Sequence, residues 1–230
     1  MYLKDGVTMD ARYGLFLALI VCVTACNADT TPAESKKAPV DNNAFIRYVP
    51  QGWILQDHRI VDIDIDRDGF KDAILTLLED EHLQKGDLPY PQNDERAVLV
   101  LLGDKNGKYR LSSFAKNAIL CASCAGMMGS FGSREPGIIL FADKVFSVGW
   151  ISGSRDTVGV ELNYGFDAKL GKFVLLSDRV DKTDRVEGKS IITKRDFVAG
   201  TKTVDGKVSK MGKKVIPIES VKYYDYLGYK

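Results

Sequence analysis

The chain has 230 residues, 45% of them hydrophobic and 27% charged, which is enough apolar material for one well-buried core. Lys and Arg number 32 against 31 Asp and Glu, for a formal charge of +1. That balance excludes the strongly basic footprint of a nucleic-acid-binding protein.

At the N-terminus, Arg12 precedes an apolar run from Tyr13 to Ala25. The run is too short to span a bilayer and has the length of a signal-peptide core, so residues 1–25 read as a signal peptide. Asp5 and Asp10 are unusual in a positively charged leader, and a start at Met9 leaves a short one. The run ends in Val23-Thr24-Ala25-Cys26, which resembles the bacterial lipobox. The resemblance implies cleavage before Cys26 and lipidation of its thiol. Several acyl chains on one residue hold a protein on a membrane, because each buried methylene contributes about 0.8 kcal/mol. Asn27 follows where a retained lipoprotein would carry Asp, so the resemblance implies the periplasmic face of the outer membrane. Residues 26–43 are polar with two prolines and cannot bury enough to order themselves. They read as a tether that holds a domain roughly 20–25 Å from the lipid.

Residues 44–230 read as a single β-rich domain of antiparallel strands and hairpins with few helices, as a sandwich or partial propeller. Strands are expected at Arg59–Ile65, where apolar and acidic residues alternate, and at Ala73–Leu78 and Ala97–Leu102, whose continuous apolar character fits central strands buried on both faces. Tyr109–Phe114 should follow through the turn Gly103-Asp104-Lys105-Asn106-Gly107, and Val158–Phe166 should pair with Phe173–Leu176 through Asp167–Lys172. Further strands are expected at Gly137–Phe141, Val145–Ile151, Ser190–Thr193, Thr201–Val204 and Val215–Ile218. Glu79–Glu95, with two prolines, reads as a long surface loop or a short helix and loop. Acidic residues outnumber basic ones 13 to 5 from Asp57 to Asp104, and basic residues lead 8 to 2 from Lys189 to Lys214. Two solvated faces account for that segregation, although it could also orient the domain over a charged surface.

The sharpest chemical signal is Asp64-Ile65-Asp66-Arg67-Asp68-Gly69-Phe70-Lys71-Asp72. Carboxylates of Asp64, Asp66, Asp68 and Asp72, with the Phe70 carbonyl and a turn at Gly69, can wrap a hard cation, and calcium is the expected ion, in a structural role. A structural Asp-rich hairpin is the alternative. Leu75 stands where an EF-hand carries its bidentate Glu, and β-type runs flank the loop. Val61–Leu77 instead resembles one FG-GAP or VCBS-type repeat, a unit known from integrin α-subunit propellers, and no second Asp-x-Asp-x-Asp-Gly copy follows. More of the chain resembles small bacterial envelope lipoproteins of uncharacterised function, through Pro50-Gln51-Gly52-Trp53, Leu101-Leu102-Gly103-Asp104 and Leu120-Cys121-Ala122-Ser123-Cys124-Ala125-Gly126-Met127-Met128-Gly129. That resemblance implies a location and no activity.

With Cys22 removed and Cys26 lipidated, Cys121 and Cys124 are expected to pair in an oxidising envelope. A redox site or half of a metal site remain alternatives, and the three glycines that follow make a poor helix for activating a thiolate. The chain carries no Gly-x-Ser-x-Gly, Gly-x-x-x-x-Gly-Lys or His-Glu-x-x-His. His58 and His82 read as solvated, as do Asp80, Glu81, Asp94 and Glu95. The aromatic cluster Tyr223–Tyr229 reads as an edge strand packed on the core, or as a binding face. The functional expectation is a lipid-anchored, calcium-stabilised, non-enzymatic binding module for an envelope protein or glycan. The rivals are a periplasmic thiol-disulfide or hydrolytic enzyme and a toxin-neutralising lipoprotein.

Overall fold

The computed structural model describes residues 43–80, 95–124, 137–140 and 144–227. The expected signal peptide, the expected lipidation site Cys26 and most of the expected tether lie outside these residues, as does most of the acidic stretch Glu79–Glu95. Among the described residues, no helix is long and apolar enough to cross a membrane.

The described residues are mainly β, with two antiparallel sheets and two short helices. The first sheet runs β1 (Trp53–Ile63), β2 (Asp72–Glu79), β3 (Arg96–Gly103) and β4 (Tyr109–Lys116), in that order. The second contains β5 (Gly137–Leu140), β6 (Phe146–Gly153), β7 (Asp156–Asp167), β8 (Lys172–Asp184), β9 (Lys189–Asp196), β10 (Thr201–Val204) and β11 (Lys207–Lys210), each strand beside its sequence neighbour. Helix α1 is Asn43–Ile46, and α2 is Tyr224–Leu227.

The two sheets share one core. Ile74, Val98, Val100 and Leu102 from β2 and β3 pack in one cluster with Phe146, Val148, Leu162, Tyr164 and Phe173 from β6, β7 and β8. This is the sandwich form of the sequence expectation. Side chains alternate across a strand, so Leu75, Leu77, Leu99 and Leu101 point to the other face of the first sheet, yet they too are fully buried. Trp53 and Phe114 reach over that face from the two outer strands, with ring centroids 5.3 Å apart. Burial on both faces explains why β2 and β3 read as apolar runs, broken within Ala73–Leu78 at Thr76.

The second sheet is one-sided. On β7, Val160, Leu162 and Tyr164 enter the core, while Asn163 on the reverse side donates to Ser177 Oγ at 3.2 Å and accepts from Ser147. Aspartates shape its turns. Asp167 accepts from the N–H groups of Lys169 and Leu170, Asp184 from those of Val186 and Glu187, and Asp196 from that of Ala199. Asp104 closes the β3–β4 turn in the same way, through the N–H groups of Asn106 and Lys108.

Two expectations fail at the C-terminal end. Val215–Ile218 is not a strand: Pro217 makes one isolated bridge to Val174, and a 3-10 turn begins at Ile218. Proline has no N–H to extend a ladder. The tyrosine cluster forms the short helix α2 instead of an edge strand. Tyr223 and Tyr226 are buried against the core, and the Tyr223 N–H is fastened to the Asn117 carbonyl at 2.6 Å.

Candidate functional site

The Asp-rich loop joins β1 to β2 and is built from nested turns. Asp66 Oδ1 accepts the Asp68 N–H at 3.2 Å, and Asp68 Oδ1 accepts the Phe70 N–H at 2.9 Å. Arg67 and Gly69 take positive φ angles of 68° and 90°, which turn the chain back on itself. Gly69 makes this cheap, whereas Arg67 is held there by the loop.

Asp72 anchors the loop from below. It is fully buried, and its two oxygens accept the Ile65 N–H at 2.7 Å and the Gly103 N–H at 2.8 Å. The second bond ties the β1–β2 loop to the end of β3. Gly103 is the residue that permits this approach, since a Cβ there would lie 2.1 Å from the Lys71 carbonyl oxygen.

Ligand-capable oxygens of Asp64, Asp66 and Asp72 gather within 4.8 Å of one another, an arrangement that could hold a metal ion. Of the sequence-derived ligand set, the structure brings these three together. Asp68 is outside this group, because its carboxylate is turned to the Phe70 N–H, and Phe70 lies exposed in the loop. Asp64 Oδ1 is buried with no hydrogen-bond partner among the described residues. Sequence reasoning missed Lys144, which arrives from the turn before β6. Its ammonium lies 3.8 Å from Asp64 Oδ2 and donates to the Asp64 carbonyl. No local pattern announces a residue 80 positions away.

The electrostatics follow from this crowding. Burial, with the charges of Asp72 and Asp68 beside it, holds the Asp66 carboxyl above the usual carboxylate range, and the Asp68 N–H opposes it. Burial also raises Asp72, against the pull of the Gly103 and Ile65 N–H groups. Three carboxylates crowd into a confined volume with the Lys144 ammonium at 3.8 Å from one of them, a local excess of negative charge. Hard oxygen donors carrying that excess suit a divalent cation.

Cys121 and Cys124 stand at disulfide distance, with Cα atoms 5.2 Å apart. Cys121 belongs to a small buried cluster with Leu120 and Tyr223, against which Cys124, Trp150 and Leu227 pack. The Tyr223 hydroxyl lies 3.6 Å from Cys124 Sγ and also hydrogen-bonds Glu95, whose carboxyl burial and the Glu79 charge hold above the usual range. Glu95 is therefore part of the packed domain rather than free loop charge. Glu81, His82 and Asp94 lie outside the described residues, as does the side chain of His58. Replacing both cysteines with serine should cost about 2 kcal/mol, the chain-entropy value for so short a loop. Chemical denaturation of the double variant should show that loss with native circular dichroism retained.

A second polar group was not legible in the sequence. Asp178, on the core-facing row of β8, is fully buried and receives Arg195 Nε at 2.9 Å, an Arg195 terminal nitrogen at 2.5 Å and the Tyr226 hydroxyl at 3.0 Å. Arg195 lies opposite it on β9, and Tyr226 comes from α2. No family model, curated protein or solved structure matches the chain.

Proposed function

We propose that this protein is a lipid-anchored component of a bacterial cell envelope whose β domain carries a calcium ion in the Asp64–Asp72 loop and acts as a non-enzymatic binding module. The anchor rests on Val23-Thr24-Ala25-Cys26, and the tether on the polar composition of residues 26–43. The metal reading rests on the convergence of Asp64, Asp66 and Asp72, with a buried oxygen of Asp64 that lacks a hydrogen-bond partner among the described residues. These three side chains would hold the ion, with the Phe70 carbonyl as the expected further donor. Bound there, calcium would join the β1–β2 loop to β3 through Asp72 and offset the repulsion among the carboxylates. Its role in this reading is to stiffen the domain rather than to carry out chemistry. Binding of an envelope protein or glycan is the activity that fits an anchored domain without a catalytic motif.

Loops of this kind outside the cell bind calcium at about 10⁻⁴–10⁻³ M. At about 10 mM calcium that affinity contributes roughly 1.4–2.7 kcal/mol, or a rise of roughly 3–10 °C in melting temperature. Scanning calorimetry of the lipid-free domain should show the rise in wild type and its loss in Asp66→Asn. A wild-type melting temperature indifferent to calcium would remove the metal from the reading. Labelled palmitate should enter the wild-type protein in cells and not Cys26→Ser, which tests the anchor separately.

The metal effect should also depend on pH. Asp66 and Asp72 have folded-state values above their ordinary 3.8. In the metal-free protein they therefore cost stability at neutral pH, and the cost is relieved as pH falls through the raised folded value towards the ordinary one. Calcium requires both deprotonated, so its increment in melting temperature should be largest near pH 7 and shrink as pH is lowered towards about 4.5. An increment unchanged across that range would place the ion elsewhere.

A further inference from the structure

A cavity of about 270 Å³, open to solvent, lies where β8 and β9 meet the C-terminal segment that carries α2. It is separate from the Asp-rich loop and depends on neither the anchor nor the metal. The geometry points to a binding site for a small carboxylate that carries an apolar group.

Three cations reach the cavity from different parts of the chain: Arg195 on β9, Lys214 after β11 and Lys222 before α2. Arg195 is held in place. Asp178 grips it through two nitrogens, and the rings of Phe197 and Tyr226 flank its guanidinium at 5.4 and 5.6 Å. A guanidinium has five N–H donors, and the two bonds to Asp178 and the contact with the Tyr226 hydroxyl leave two for another acceptor. Such a fixed fork recognises a carboxylate with little entropy left to lose. Lys214 and Lys222 are exposed, and neither has a carboxylate within ion-pair distance among the described residues.

The charge selects the class of anion. Three cations against the carboxylates of Asp178 and Asp225 leave one net positive charge around the cavity, which a monoanion neutralises. The remaining wall is largely apolar, with Leu175, Phe197, Ile216 and Val221 beside Ser220 and Tyr226. The volume lies near the lower limit for ligand pockets, so it suits one ring or one branched chain attached to the carboxylate. Either a free organic acid or the terminal residue of a peptide presents that chemistry.

Isothermal titration calorimetry of the full domain tests the site with N-acetyl-L-phenylalanine and its C-terminal amide. The acid should bind saturably at one site, the amide at least tenfold more weakly, and the variant Lys214→Gln/Lys222→Gln should weaken the acid at least fivefold. Both lysines are exposed, so this variant should retain the wild-type melting temperature. A five-residue peptide ending in phenylalanine separates the two sources: tighter binding than the N-acetyl amino acid assigns a chain terminus, and equal or weaker binding assigns a free acid. Absence of saturation, equal affinity for acid and amide, tighter binding of phenyl phosphate than of the acid, or an undiminished affinity in the lysine variant would overturn the proposal.

Discussion

Asp72→Ala, unfolded by urea in the presence of a chelator, should lose roughly 2–4 kcal/mol of stability. The carboxylate is fully buried and satisfies two backbone donors, the N–H groups of Ile65 and Gly103. Removing it strands both, and each unsatisfied buried donor costs roughly 1–3 kcal/mol. A part returns, because burial already disfavours the ionised form and the alanine relieves that cost. Asp72→Asn keeps one carbonyl oxygen for one of the two donors and should lose about half as much. The chelator matters, since it separates the hydrogen bonds of Asp72 from any metal it holds. A metal-free midpoint equal to wild type would show that the carboxylate does not fasten the loop to β3.

The same residue shows where the sequence is a sufficient guide and where it is not. Asp-rich spacing identifies the loop, because turn formation and cation binding are both local properties of the chain. Which carboxylates converge is a tertiary matter. Asp68 satisfies a neighbour two residues away, whereas Asp72 satisfies one 31 residues away. In the sequence the two look alike, and their burial is opposite. Lys144 illustrates the same limit, since a cation supplied by the other sheet leaves no trace near Asp64.

The strands divide by how many faces they bury. β2 and β3 are apolar at most of their buried positions, Asp72, Thr76 and Arg96 excepted, and are readable at nearly their full length. β1 was expected only from Arg59, yet it starts at Trp53, because the register shift between Leu55 and Arg59 breaks the alternation that announces a strand. β8 was expected to end at Leu176 and continues to Asp184. Its second half alternates buried Asp178 and Val180 with more exposed residues, and a buried aspartate reads as a break when its partner is unknown. β11 is exposed throughout and carries no apolar pattern. The turn before it does carry a signal, Asp205-Gly206, with both φ angles positive, the geometry of a two-residue hairpin turn.

Asp178→Ala should be the most damaging change in the second sheet, at roughly 2–4 kcal/mol. Breaking a buried ion pair by removing one member leaves the other uncompensated, and here the Tyr226 hydroxyl loses its acceptor as well. The upper end of the range for such pairs is discounted because the Arg195 side chain is 35% exposed and water can reach it. Tyr226→Phe removes only the hydroxyl bond and should cost about 1 kcal/mol. Asp178→Leu combined with Arg195→Met removes both charges together and should recover much of the loss, since apolar replacements of buried pairs are often neutral. If the double variant is as unstable as Asp178→Ala, the contribution lies in the packing of these side chains rather than in the charge left behind. If the double variant recovers stability as expected, the pair as a whole adds little net folding energy, and what it supplies is a guanidinium fixed at the edge of the cavity beside β9 and α2.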